Sequence, residues 1–308
     1  MITLSISFVK IIKLQRKERV NIKVIISGIA MSVIFGLSFL FTKNALDFTT
    51  PYNFLSIRFL FASLSFLILF ALKIIKIKNT KKLYKLLIVA FFQPILYFIF
   101  ETNGLKFASS SEAGILIATI PIFITFLSPF ILKEKVPKIN YLFVFLSFSG
   151  VLLIMGLNVN EGFKGKILIL FAVFSAVFYN FASKYFSKEF SPQEVTFVMM
   201  ITGWIFFTIL ALINRELNYN VISNKNVFIS AIYLGIFSST IAFFLINYML
   251  SKVSPVQSSI FSNLTTVVSV IAGFFIRHER ITFNHIIGMS LIILGVWGVN
   301  YFKYRSEK

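Results

Sequence analysis

Long apolar runs separated by short polar segments constrain this chain more than any other feature. Ten such runs lie between residues 23 and 302, and each approaches the roughly 20 residues that a helix needs to cross a hydrocarbon layer of about 30 Å. The composition agrees, since 57% of the 308 residues are hydrophobic and only 13% are charged, against about 25% charged in soluble domains. The sequence therefore predicts an all-α membrane protein.

The predicted organisation is ten transmembrane helices with short connections, which leave no separate soluble domain. The predicted spans are residues 23–43, 53–72, 83–103, 109–132, 138–156, 165–185, 192–213, 227–250, 254–277 and 283–302. We expect 1–22 to be a basic cytoplasmic segment and 303–308 a cytoplasmic tail. The spans between them form a first five-helix repeat, 23–157, and a second, 158–302.

The distribution of basic residues predicts the orientation. With the N-terminus inside, 21 of the 30 Lys and Arg residues fall in cytoplasmic segments, eight fall outside and Arg58 lies within a span. Cytoplasmic loops carry the excess of Lys and Arg, so both termini are expected in the cytoplasm. We expect a multi-pass protein of the cell inner membrane. The charges are scattered between apolar runs, so the net charge of +19 does not indicate a nucleic-acid partner.

An internal repeat relates the two halves. Between 109–151 and 254–296, eight positions are identical at a separation of 145, including Ser109 with Ser254 and Glu134 with Glu279. Long-period repeats in membrane proteins are typical of transporters built from two halves. Because each half has an odd number of spans, the second enters from the opposite side. The sequence thus predicts inverted repeats, with Glu134 at the cytoplasmic face and Glu279 at the outer face.

An ordered set of short motifs resembles the EamA-type branch of the drug/metabolite transporter superfamily. The set comprises the Gly104–Ser109 phrase entering span 4, Pro121 within that span, the Lys-Glu-Lys exit at 133–135 and Gly150-Val151 ending span 5. The second half departs from the pattern, since Thr266 stands opposite Pro121. The resemblance implies secondary transport, often export, of amino acids, nucleosides or drug-like compounds. It also implies a substrate between spans 1, 3 and 4 and spans 6, 8 and 9.

Polar residues inside the spans are the candidates for a substrate cavity. In span 3, Gln93 and Tyr97 share one helical face, and Pro94 frees a carbonyl that can line a cavity. The alternative is that Gln93 and Tyr97 only join helices together. In the second half the candidates, which can equally serve in packing, are Tyr179, Asn180, Asn247 and Asn263.

Charged residues in or near the spans are the candidates for coupling or gating. Arg58 either holds an anionic substrate group or carboxylate, or snorkels to the outer surface. Glu101 and Glu112 near the outer mouth either share a proton or cation, or are simply solvated, with Glu112 favoured in the first turn of a helix. Glu134 and Glu279 end helices amid basic residues, which favours structural or gating roles.

Other classes of function have weaker support in the sequence. The chain has no cysteine and only two histidines, and neither lies in a cluster of metal ligands, so no metal or other cofactor is predicted. It also lacks a P-loop and the common hydrolase motifs. The main prediction is therefore that the chain is not an enzyme. A membrane-embedded enzyme and a passive channel remain alternatives. Expected partners are the lipid bilayer, a small-molecule substrate, a coupling proton or cation and, left open, a second copy.

Overall fold

The computed structural model describes residues 22–78, 80–133, 138–155, 162–259 and 261–306. The regular structure in these ranges is helical throughout, which confirms the all-α prediction. The predicted N-terminal segment, apart from residue 22, the end of the C-terminal tail and the candidate Glu134 lie outside the described residues.

Ten long helical segments, numbered here in chain order, make up the described chain. They are α1 (Ile22–Leu46), α2 (Pro51–Ala71), α3 (Thr80–Gly104), α4 (Ser110–Ile131), α5 (Ile139–Met155), α6 (Phe163–Phe186), α7 (Pro192–Ile213), α8 (Lys225–Lys252), α9 (Pro255–Arg277) and α10 (Phe283–Ser306).

Eight of these segments are long and apolar enough to cross a membrane within the described ranges. The remaining two, α5 and α10, contribute shorter apolar stretches, Ile139–Gly150 and Phe283–Gly295. They pack against each other closely. A Cβ added to Gly150 would meet the Gly288 carbonyl oxygen at 2.5 Å, and Ser147 donates to the Ile292 carbonyl at 3.1 Å. The long apolar helices confirm a multi-pass helical architecture, whereas ten membrane crossings stay a prediction.

Proline and capping residues fix where several helices begin. Both α2 and α7 start with proline at the first helical position, where the missing N–H costs nothing because that group has no intrahelical partner. Ser109 and Glu112 form a capping box at the start of α4. Such boxes satisfy two otherwise unpaired N–H groups. The short polar segment before span 4 therefore determines where the helix starts.

Matching irregularities occur in the two halves. The π-helical stretches Phe91–Leu96 in α3 and Tyr233–Ala242 in α8 overlap when one is shifted by the repeat distance. Helix α4 is interrupted by a turn after Ile117, and α9 has a turn at Phe261. π-Helical turns are uncommon and often mark functional sites. Their recurrence at equivalent places supports an internal duplication.

Helices α2 and α7 run antiparallel and are tied together at both ends. Asn53, at the start of α2, donates to the backbone carbonyl of Asn218 at 2.9 Å and accepts from its N–H at 3.0 Å. At the other end, Glu194 of α7 accepts from the Lys78 N–H at 2.8 Å. Each helix start thus holds the segment that follows the other helix. This reciprocal arrangement is expected of two elements related by a two-fold axis.

Candidate functional site

One cavity lies among helices from both halves of the bundle. Its walls come from α1, α3, α4, α6, α8 and α9, the six helices that the resemblance implied, together with Arg58 of α2. Of the eleven candidates from the sequence, five line it: Arg58, Gln93, Tyr97 and Glu101 from the first half and Asn180 from the second.

Arg58 is buried with only 1% of its surface exposed. Its Nε donates to the Ser239 hydroxyl at 2.9 Å and its Nη2 donates to the Ser238 hydroxyl at 3.0 Å. The guanidinium carbon lies 4.2 Å from the centre of the Phe98 ring, which adds a cation–π contact. The side chain therefore turns into the bundle, and the snorkelling alternative does not describe this geometry.

Glu101 lines the same cavity from α3 and is 2% exposed. Its Oε2 accepts a hydrogen bond from Thr102 at 2.8 Å. The solvated alternative therefore does not fit Glu101. No ion pair joins Glu101 to Arg58 in the described structure, although the two charges interact electrostatically. A buried cation and a buried carboxylate thus face one space without contacting each other.

The interruption of α3 places Gln93 and Tyr97 on the cavity wall. Gln93 has extended backbone angles, φ −147° and ψ 115°, because the ring of Pro94 disfavours helical angles in the residue before it. Ser175 of α6 donates to the Phe92 carbonyl at 2.6 Å, so a neighbouring helix satisfies one acceptor at the interruption. The proline therefore opens the helix where the cavity lies.

Two polar groups on the part of the cavity wall that the second half supplies lack partners in the described residues. The Asn180 Oδ1 and the Ser258 Oγ are buried and accept or donate no hydrogen bond, and both residues line the cavity. Unpaired buried polar atoms are unusual in native structures and call for a bound water, ion or ligand. They indicate that this wall presents hydrogen-bonding capacity to an occupant.

Tyr179, Asn247 and Asn263 lie apart from the cavity lining. The Tyr179 hydroxyl donates to the Asn247 Oδ1 at 2.9 Å, and Asn247 in turn donates to the Thr196 hydroxyl at 2.9 Å. This bonding matches the alternative that these residues join helices. The Asn263 Oδ1 is buried without a partner in the described structure.

A second polar cluster, the Glu279 clasp, joins Glu279 to Ser110 and Ser111 at the start of α4. The carboxylate accepts from the N–H groups of both serines, each at 2.9 Å, and from the Ser111 hydroxyl at 2.6 Å. The Ser110 hydroxyl also donates to it. Burial acts to raise the pKa of Glu279, but these hydrogen bonds outweigh it and hold the pKa below its ordinary value of 4.5.

Further contacts between charged side chains surround the Glu279 clasp. Glu112 pairs with Lys166 at 3.0 Å and lies 3.5 Å from His285. Arg277 pairs with Asp47 at 3.1 Å. The first two contacts join the starts of α4, α6 and α10, and the third joins the ends of α1 and α9, so this end of the bundle is closed.

Sequence reasoning missed the serines that complete both clusters. Ser238 and Ser239 hold Arg58, and Ser110 and Ser111 hold Glu279. A serine in an apolar run is a weak signal of function because serine also occurs in helix packing. Pairs of adjacent serines within or at the start of an apolar run are a more specific signal, which both of these sets provide. In the described ranges no three potential ligands among His, Cys, Asp and Glu cluster around a metal position.

Comparison with known proteins adds independent information. The sequence pattern of the EamA-like transporter family matches residues 22–156 and again 163–301. The chain is 36% identical over 295 residues to the uncharacterized transporter YcxC of Bacillus subtilis, covering 92% of this chain and 94% of that protein. It is 28% identical to an uncharacterized transporter of Archaeoglobus fulgidus, covering 87% and 96% of the two chains.

A solved structure is similar in fold. One protein with a crystal structure superposes with a TM-score of 0.67 at 15% sequence identity, covering 90% of this chain and 97% of that one. At that identity the likeness concerns the fold alone.

Proposed function

This chain belongs to the EamA-like transporter family, and from that membership we propose that it is a secondary active transporter that exports small organic metabolites by alternating access. The observation that carries the proposal is the charged cavity at the centre of the bundle, lined from both halves and closed at one end by the Glu279 clasp. A carrier needs such a site because it exposes the substrate to one side at a time.

The proposed mechanism uses the two halves as inverted repeats that rock around the cavity. Antiparallel α2 and α7, tied reciprocally through Asn53 and Glu194, support this relation. In the proposed orientation both termini are cytoplasmic and the Glu279 clasp lies outside, so the structure corresponds to a state closed to the outside. Opening would release Glu279 from α4 while a second closure, which includes Glu134, forms at the cytoplasmic face.

Energy for export is proposed to come from a gradient, with Glu101 and Arg58 as the residues that link substrate to a coupling proton or cation. Both are buried and line the cavity, and intramembrane charges usually mark substrate or ion pathways. Gln93, Tyr97 and Asn180 are proposed as further substrate contacts. Tyr179 and Asn247 are proposed to fix the wall behind them.

Cysteine labelling tests this proposal directly, because the natural chain has no cysteine to interfere. Ser262→Cys places a thiol on the cavity wall, and Ser290→Cys places one on the exposed face of α10. In proteoliposomes loaded with a mixture of radiolabelled metabolites, a thiol reagent should abolish efflux through the Ser262→Cys protein and spare the Ser290→Cys control.

Kinetics separate the alternatives. A carrier should show saturable efflux that accelerates when the same solute is present on the other side. Flux that never saturates would identify a channel, and conversion of a solute to a new product would identify an enzyme. Unchanged efflux after labelling Ser262→Cys would show that this cavity is not the pathway.

A further inference from the structure

A basic surface lies at the end of the bundle opposite the Glu279 clasp and outside the cavity. Helices α2 and α6 begin at the clasp end, so their ends lie here. The surface consists of residues 72–78 and 80–85, between α2 and the first turns of α3, and of 185–189 at the end of α6. We propose that this surface, called here the lysine face, binds anionic phospholipids through their headgroups. The proposed transport function assigns no ligand to it.

Polar contacts hold the parts of the lysine face together. The Glu189 carboxylate pairs with Lys85 at 3.0 Å and with Lys82 at 3.6 Å, which joins the turn after α6 to the start of α3. The Lys78 N–H donates to Glu194 at 2.8 Å, which ties the segment after α2 to the start of α7. The lysines are therefore carried by a backbone that neighbouring helices hold in place.

Local structure turns the lysines outward. In the segment before α3, Ile75 is buried, whereas Ile74 and Lys76 on either side of it are exposed. The first turns of α3 form a 3-10 helix, in which residues three apart share a face, and Leu83 and Leu86 both pack against the core. Apolar side chains thus anchor the segment and leave its lysines on the outside.

The lysine face has a large excess of positive charge. Its residues include seven lysines and one acidic residue, Glu189, for a net charge of +6. Glu189 pairs with two of the lysines. In the described structure no ion pair engages the other five, which are Lys73, Lys76, Lys78, Lys81 and Lys188. Clusters of about four to eight basic residues beside a transmembrane helix are typical of sites for anionic headgroups.

Large apolar and aromatic side chains lie among these lysines. Leu72, Ile74, Tyr84 and Tyr185 are between 64% and 69% exposed. Tyrosine is enriched where hydrocarbon meets headgroups, and lysine lays its methylene stem along apolar surface while its ammonium reaches out of it. An acidic soluble protein or a nucleic acid would match the charge and leave the apolar side chains in water. A phospholipid matches both, since its acyl chains cover the apolar residues and its headgroup meets the ammonium groups.

Native mass spectrometry of the purified full-length protein tests this inference. Anionic phosphatidylglycerol and zwitterionic phosphatidylcholine are titrated with the same acyl chains, so that only the headgroup differs. We expect phosphatidylglycerol to bind about tenfold or more tightly, because each lysine near a membrane contributes about fivefold to the affinity for anionic lipid. Raising the ionic strength from about 0.05 M to about 0.5 M with ammonium acetate should reduce this preference, since salt screens exposed charges.

Paired substitutions locate the site. Lys76→Gln/Lys81→Gln removes two unpaired charges from the lysine face and should weaken phosphatidylglycerol binding about tenfold. The matched control, Lys106→Gln/Lys225→Gln, removes two exposed charges at the clasp end and should leave that binding nearly unchanged. Both changes remove the same net charge, so a difference between them reports position.

Several results would overturn the inference. Equal binding of the two lipids would show that headgroup charge is not recognised, and equal losses in the two paired variants would place the preference elsewhere. Displacement of phosphatidylglycerol by an equal concentration of glycerol phosphate would show that the face binds a soluble phosphate instead of a lipid. Binding of polyglutamate with the same lysine dependence, without binding of phosphatidylglycerol, would identify an acidic protein as the partner. If Lys76→Gln/Lys81→Gln misfolds, Lys73→Gln/Lys188→Gln removes two other unpaired charges of the face and decides the question.

Discussion

Replacing Glu279 with glutamine should open the clasped end of the bundle. The carboxylate accepts four hydrogen bonds from Ser110 and Ser111, and the amide nitrogen of glutamine cannot accept the two that reach its side. Hydrogen bonds to charged groups contribute about 1.5–3 kcal/mol each. Glu279 is half-buried, so solvent screening reduces the total loss to about 2 kcal/mol.

That loss predicts a measurable change in populations. At about 1.4 kcal/mol for each factor of ten, the equilibrium between closed and open forms should shift about 30-fold toward the open form. The assay uses Ser38→Cys, which places a thiol in the cavity, and a membrane-impermeant thiol reagent added outside. Labelling should be faster by about that factor when Glu279→Gln is added to Ser38→Cys.

A matched control is available at Glu216. Its Oε2 is buried without a hydrogen-bond partner in the described chain, and the predicted topology places it on the same face, so Glu216→Gln makes the same chemical change without breaking the clasp. Equal labelling rates in the Glu279→Gln and Glu216→Gln proteins would refute the reasoning that the clasp holds this end closed.

The pH dependence of the Glu279 clasp follows from the direction in which the pKa of Glu279 is shifted. The pKa of Glu279 lies below 4.5 in the closed form, so the clasp contributes its full stability above the ordinary carboxylate pKa and loses it as the pH falls through the lowered value. Divided by the rate at which the same reagent labels free cysteine, which corrects for the loss of thiolate in acid, the labelling rate of the Ser38→Cys protein should be insensitive to Glu279 near neutral pH and rise only in strong acid. The Glu279→Gln protein should lack that acid-dependent rise.

Two further predictions concern stability. Glu194→Ala should lower the free energy of unfolding by about 2–4 kcal/mol, because it removes a capping box and the bond to the Lys78 N–H; Glu194→Gln, which retains an acceptor, should lose less in thermal denaturation, and equal losses would contradict this account. Gly235→Ala should cost about 1–3 kcal/mol through overpacking, since its Cβ would lie 2.6 Å from the Phe61 Cβ. In the same assay Gly162→Ala, with no neighbour nearer than 3.6 Å, should be nearly neutral, and a Gly235→Ala protein as stable as this control would refute the packing argument.

Several elements followed from local sequence. The apolar runs predicted the long helices to within a few residues, because hydrophobic length is a property of each segment alone. Pro51 and Pro192 begin α2 and α7, and this effect is local because proline acts on its own backbone. The family membership was also accessible, through the order of the motifs from Gly104 to Gly150.

Some of the predicted site residues line the cavity and others do not, and the packing of neighbouring helices decides which. The structure brings Arg58, Gln93, Tyr97 and Glu101 to one cavity with Asn180, whereas Tyr179 and Asn247 bond to each other outside it. For the uncharged residues the sequence offered the same two interpretations, because a polar side chain in a span can face either a cavity or another helix. For Arg58 and Glu101 the alternative to a cavity role was a position at the surface.

The sequence by itself determined that this chain forms apolar helices, carries two related halves and belongs to a transporter family, since periodicity, length and motif order are written along the chain. Only the tertiary structure decided that Arg58 meets Ser238 and Ser239 across 180 residues, and that Glu279 reaches the start of α4. The physical reason is that hydrogen bonds and charges act over a few ångströms. The folded packing of distant helices, rather than their local sequence, decides which polar groups come within that reach.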